Sequence, residues 1–139
     1  MGSLGSNELQ KLRNRIADLP ALRDSSVEVQ NVLIQDENKI REILEVVERL
    51  ESKGKLPEPE DRRVYLDRVY TQQDWLTISK LEDFADKPIH DLATGYMLDG
   101  DVLITDGNHR IALAKLNNQG TARMKVIDLN KAKKRHKIF

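Results

Sequence analysis

The sequence predicts an α+β fold, a small mixed sheet with short helices, preceded by an N-terminal helical hairpin. Three observations carry that expectation. Apolar residues recur at three- and four-residue spacing over the first third of the chain, the period of an amphipathic helix. Gly54 and then Pro57-Glu58-Pro59 end the pattern, because proline removes a backbone donor and pushes its predecessor toward extended backbone. Beyond them the apolar runs are short, rich in β-branched residues and divided by turn residues.

Leu9, Leu12, Ile16 and Leu19 mark a first helix that stops at Pro20. Ile40, Ile43, Leu44, Val47 and Leu50 mark a second, and Ser25 or Ser26 offers a cap for a helix from about Val27 to Ser52. Such stripes must be covered, by the rest of the chain, by a second copy or by a partner protein. The chain then divides into a helical region 1–56, an α+β domain 57–130 and a basic tail 131–139. Val64, Leu66 and Val69 suit a strand or strand-turn segment, and Ile78 to Phe84 with Asp74-Trp75-Leu76 suggests a short helix. Tyr96-Met97-Leu98 faces Val102-Leu103-Ile104 across Asp99-Gly100, a strong hairpin signal. Ile111 to Leu116 are good helix formers, with Gly120 of Asn117-Asn118-Gln119-Gly120 expected just past the helix end. Met124 to Leu129 reads as the last strand.

Composition narrows the function. The 139 residues suit one compact domain, and 23 cationic side chains balance 23 carboxylates. Attraction to nucleic acid or anionic membrane must therefore be local. The absence of cysteine removes disulfides, thiolate metal sites and thiol catalysis. No apolar run approaches the roughly 18 residues of a membrane span and no signal-peptide pattern opens the chain, so a cytoplasmic protein with no membrane partner is expected.

The chemistry concentrates in Asp106-Gly107-Asn108-His109-Arg110, between the strand-like Val102 to Thr105 and the helix-like Ile111 to Leu116. The first N–H groups of a helix have no intrahelical partner, and its dipole favours an anion there. As ordinary structure, Asp106 or Asn108 caps the helix and Gly107 turns the chain. That account leaves His109 and Arg110 at the positive end of the dipole, where cations are unfavourable unless an anion neutralises them. An anion site at this turn is therefore expected.

From Val64 to Leu129 the chain resembles the ParB/sulfiredoxin fold family. The likeness lies in the extended segment Val64-Tyr65-Leu66-Asp67-Arg68-Val69, the step Asp86-Lys87-Pro88-Ile89, the hairpin, the turn-helix at Gly107 and a last strand. Partition proteins carry Gly-Glu-Arg-Arg at the turn, sulfiredoxins Gly-Cys-His-Arg, and some free-serine kinases of this fold an Asp-Gly-His-x-Arg variant. The resemblance implies that Gly107, Asn108, His109 and Arg110 hold the phosphates of ATP or CTP, with Lys87 and Pro88 near the nucleotide. Asp106 can offer an oxygen to Mg²⁺ bridged to the phosphates, and Asp106 and His109 are the candidate catalytic residues of an NTPase or phosphotransferase. Asn108 stands where sulfiredoxin has its cysteine, so sulfinic acid repair is excluded, and where partition proteins have glutamate. The chain, ending at Phe139, leaves no room for a helix-turn-helix DNA reader.

Elsewhere the signals are thinner. His90 and His136 lack metal-ligand spacing, and Asp67 is a strand-end aspartate that a kinase of this type could use as a base. The tail Lys131 to Lys137 is a basic cluster, in which Lys133, Lys134 and Arg135 are candidate DNA or RNA contacts. Two rivals to nucleotide binding follow: a DNA-binding protein or nuclease of ParB-like type, and a non-catalytic interaction module that recruits a partner through the N-terminal helices.

Overall fold

The computed structural model describes residues 5–22, 25–87 and 91–132. Pro88 and His90, and the tail residues Lys133, Lys134, Arg135 and His136, lie outside them.

Helix α1 (Ser6–Ala17) buries Leu12 and Ile16. The chain next forms a short strand β1 (Ser26–Glu28) and a 3-10 turn (Val29–Asn31), and only then helix α2 (Glu37–Ser52). The expected start of the second helix near Val27 is therefore corrected by ten residues. Val27 and Val29 are fully buried two positions apart, a strand period, and Val27 pairs with Leu76 of β4 (Trp75–Thr77). Ser26 lies in the strand rather than capping a helix. The cap is Asp36, which accepts hydrogen bonds from the N–H groups of Asn38 and Lys39, both at 3.1 Å and together worth about 1 kcal/mol.

The main sheet runs in the order β2 (Pro59–Tyr65), β7 (Thr121–Asp128), β5 (Ala93–Leu98), β6 (Asp101–Asp106), β3 (Val69–Tyr70). It is mixed: β2 with β7 and β5 with β6 are antiparallel, β5 with β7 and β3 with β6 parallel. Asp99 and Gly100 join β5 to β6 with φ of 53° and 85°, the left-handed pair that a tight hairpin turn needs. Trp75 and Leu76 prove to be strand, and helix α3 (Ile78–Asp86) starts immediately after it. Helix α4 (Asn108–Leu116) follows β6 and ends at Asn117. Asn118, at φ 59°, supplies the left-handed residue expected of Gly120.

Side-chain alternation along β5 and β6 splits the core in two. Ala93, Met97, Val102 and Ile104 pack with Leu12, Ile16, Leu81, Ile111 and Leu113, contributed by α1, α3 and α4. Tyr96, Leu98 and Leu103 pack instead with Ile43, Val47 and Leu50 of α2. Helices α1 and α2 therefore form no hairpin, but lie on opposite faces of the sheet, α1 against α3 and α4 and α2 against β5 and β6. The centres of both apolar stripes, Leu12 and Ile16 of α1 and Ile43, Val47 and Leu50 of α2, are buried within the chain itself, while Leu9, Leu19, Ile40 and Leu44 are half-buried. After β7, Leu129 and Ala132 join the α2 face and Lys131 pairs with Glu60, which makes 131–132 part of the folded body. Among the described residues no helix is long and apolar enough to cross a membrane.

Candidate anion site at the start of helix α4

Gly107 decides the geometry of the predicted turn. Its φ of 94° and ψ of 29° are left-handed, and a Cβ there would stand 2.7 Å from Cβ and 2.9 Å from Cα of Ala93 on β5. Only glycine meets both requirements without strain. The chain can thereby leave β6, cross close over β5 and enter α4 within one residue.

Neither Asp106 nor Asn108 caps the helix, contrary to the ordinary reading of the turn: the N-cap position is Gly107, and the helix start has no side-chain cap hydrogen bond among the described residues. The first intrahelical bond runs from Ile111 N–H to the carbonyl of Gly107 at 3.1 Å. The N–H groups of Asn108, His109 and Arg110 precede it and have no intrahelical acceptor. All three residues line a cleft of about 340 Å³, together with Gln73, Lys80, Asp83, Phe84, Lys87, Asp106 and Gly107. A volume of that order lies at the lower end of small-ligand sites.

Three cations, Lys80, Lys87 and Arg110, line this cleft beside two carboxylates, Asp83 and Asp106. Among the described residues none of these cations makes an ion pair. The guanidinium of Arg110 lies 5.6 Å from the centre of the Phe84 ring, a contact that holds the cation without consuming its N–H donors. His109 is half-buried and 6.5 Å from the same ring. Its Nε2 accepts a hydrogen bond from the Thr77 N–H at 3.0 Å. Burial, and then the charge of Lys80, pushes its pKa down. His109 thus enters the site as a neutral imidazole and not as the second cation that the sequence suggested.

Asn108 is fixed from the other side, where the Thr71 hydroxyl donates to its Oδ1 at 2.6 Å. Asp106 is exposed at the end of β6, within the cleft lining. Asp67 lies in a separate 3-10 turn (Leu66–Arg68) and is not among the residues of the cleft. Among the described residues no cluster of three or more His, Asp or Glu could by itself hold a metal.

Sequence reasoning picked out Lys87 but missed Lys80, Asp83, Phe84, Thr71 and Gln73. The first three were legible. Positions 80, 83, 84 and 87 repeat at the helical period, so α3 presents one charged, aromatic edge to the turn. Thr71 carried no such signal, because it meets Asn108 only through the tertiary fold.

Comparison of the chain with protein-family models, with characterised proteins and with solved structures gave no match.

Proposed function

We propose that this is a ParB/sulfiredoxin-like domain that binds a nucleoside triphosphate, with the phosphates seated at the N-terminus of α4. The supporting observation is the coincidence at one cleft of an uncapped helix start and three cations without carboxylate partners among the described residues. Such a site costs energy in the empty protein and recovers it on an anion. Gly107 supplies the close backbone approach, Arg110 a charge-assisted donor, and Lys80 and Lys87 balance the outer phosphates. Asp83 and Asp106 are too few to build a metal cage, yet they suit Mg²⁺ that takes its remaining ligands from phosphates and water. Bound there, the ion would neutralise phosphate charge. Hydrolysis or phosphoryl transfer is the activity that fits, since its demands are mainly positioning and charge neutralisation. Asp106 is then the better candidate base, because Nε2 of His109 is already engaged.

The test is calorimetric titration with ATP, CTP and GTP, with and without Mg²⁺, on the parent and on Arg110→Ala. Loss of the guanidinium should weaken binding by about 1.5–3 kcal/mol, the value of a hydrogen bond to a charged group. The melting temperature should hardly move, since the contact with Phe84 at an accessible site is worth only about 0.5–1 kcal/mol. Equal affinity in parent and variant would defeat the proposal.

A further inference from the structure

Thr71 is fully buried, and its hydroxyl oxygen already accepts the N–H of Gln73 at 3.0 Å. Water cannot reach its own hydrogen, which would be left unsatisfied at a cost of about 1–3 kcal/mol without an acceptor. Oδ1 of Asn108 at 2.6 Å is the acceptor the structure gives it. The direction of that bond fixes the Asn108 amide, because a flipped amide would put N–H against a hydroxyl with no outlet for its proton. Oδ1 is therefore engaged by Thr71, and that orientation leaves both Asn108 Nδ2 hydrogens free to donate elsewhere. The same logic applies one residue on: with Nε2 of His109 accepting from the Thr77 backbone, the neutral ring carries its proton on Nδ1. Lys80 on α3 is the charged group that acts on this ring, and Asp83, Lys87, Asp106 and Arg110 line the same cleft. The downward push on the imidazole keeps it neutral and the tautomer in place.

We infer that Thr71 and the Thr77 backbone are positioning groups that set the hydrogen-bonding polarity of the cleft. Asn108 then offers its Nδ2–H groups and His109 its Nδ1–H, so this part of the site favours a phosphoryl oxygen over a metal ion or a second donor. The inference rests on the phosphate-binding reading above and assigns it a mechanism of selection: two side chains able to accept are made donors by partners outside the cleft. Any cation that accompanies the ligand is confined to the carboxylate side, at Asp83 and Asp106.

The experiment compares binding of tripolyphosphate and of ATP to the parent, Thr71→Ser, Thr71→Val and Asn108→Asp, with thermal melts to verify folding and ¹⁵N NMR of the His109 ring. Thr71→Ser keeps the hydroxyl and should bind within about twofold of the parent. Thr71→Val frees the amide to turn and should lose about tenfold, the equivalent of about one hydrogen bond to a charged group. Asn108→Asp keeps the bond from Thr71 but offers no N–H, and should lose at least as much. Parent-like affinity in Asn108→Asp, or in a folded Thr71→Val, overturns the inference even if Thr71→Val proves too unstable to test. A parent that binds neither anion defeats the phosphate reading, and the NMR arm then decides polarity by itself: an Nδ1–H tautomer upholds it, an Nε2–H tautomer overturns it.

Discussion

Strand β6 starts at Asp101 and ends at Asp106, and each end combines an aspartate, a left-handed glycine and nearby cations. At the first end the strand's aspartate is matched by two cations. Asp101 accepts from Arg68 at 3.1 Å and Tyr70 at 3.2 Å and pairs with Lys39 at 3.3 Å. Arg68 also bonds the carbonyl of Asp99, and Asn130 clamps Asp99 through both its backbone N–H and its carboxylate. At the second end Lys80, Lys87 and Arg110 surround the turn with no ion pair among the described residues. A charge cluster that completes itself stabilises the fold and has no capacity left for a ligand. One that does not is where a ligand of opposite charge gains most.

The glycines break the comparison most strongly. At Gly107 an added methyl meets the Cα and Cβ of Ala93 within 2.9 Å, atoms of a central strand that cannot retreat. Gly107→Ala should cost about 2–4 kcal/mol, from the left-handed backbone and overpacking together, and should abolish anion binding. At Gly100 the atoms nearest the methyl belong to the guanidinium of Arg68, the far end of a flexible chain. Gly100→Ala should cost about 1–2 kcal/mol, mostly from its positive φ, and leave nucleotide affinity unchanged. Urea denaturation of both variants measures the contrast. Equal costs would mean that β5 yields to the turn and that the turn is less constrained than its φ implies.

Asp101→Asn is the next probe, and it acts at the matched end only. Its partners reach water, with Arg68 and Lys39 side chains 46% and 41% exposed, so the loss should be about 1–2 kcal/mol and not the 3–5 of a fully buried pair. Burial alone would raise the pKa of this carboxyl. Hydrogen bonds from Arg68 and Lys39 and their charges outweigh it, so the folded pKa falls below the ordinary value of 3.8. The stabilisation is thus complete above that value and disappears as pH falls through the folded pKa. Below about pH 4 the parent should lose stability faster than Asp101→Asn, read as converging melting temperatures. Divergence there would show that Asp101 is not held by its cations.

What the sequence disclosed follows the range of the forces concerned. The Asp99-Gly100 hairpin and the Gly107 turn were legible because each depends on backbone conformation within two residues. The α2 stripe Ile43, Val47, Leu50 was legible for the same reason, being a local period. Its starting point was not, since Val27 and Glu28 owe their strand to Leu76 and Trp75, almost fifty residues later. The state of the site was equally hidden. Asn108 is oriented by Thr71, 37 residues away, and the tautomer of His109 is set by a backbone donor 32 residues away. Residue type at the turn therefore raised the expectation of an anion site, while the protonation and polarity of its side chains are properties of the tertiary fold.

The basic tail gives the smallest expected effect and the last way to sharpen the contrast between matched and unmatched charge. Its first cation, Lys131, pairs with Glu60, and Ala132 is packed against the α2 core, so a cut after Asn130 would disturb the fold as well as remove charge. A cut after Ala132 separates the two. Removing residues 133–139 should leave the melting temperature and nucleotide affinity unchanged, because every group in the cleft is retained. The full chain should retain DNA or RNA weakly and without sequence preference at low salt. With about four phosphate contacts the log–log salt slope should be near −3.6, so binding largely vanishes at physiological salt. The shortened chain should lose it. Retention that survives the cut but is lost in Arg110→Ala would place a nucleic-acid phosphate, and not a free nucleotide, at the start of α4, and would make the unmatched end of β6 the grip of a ParB-like DNA-binding protein or nuclease.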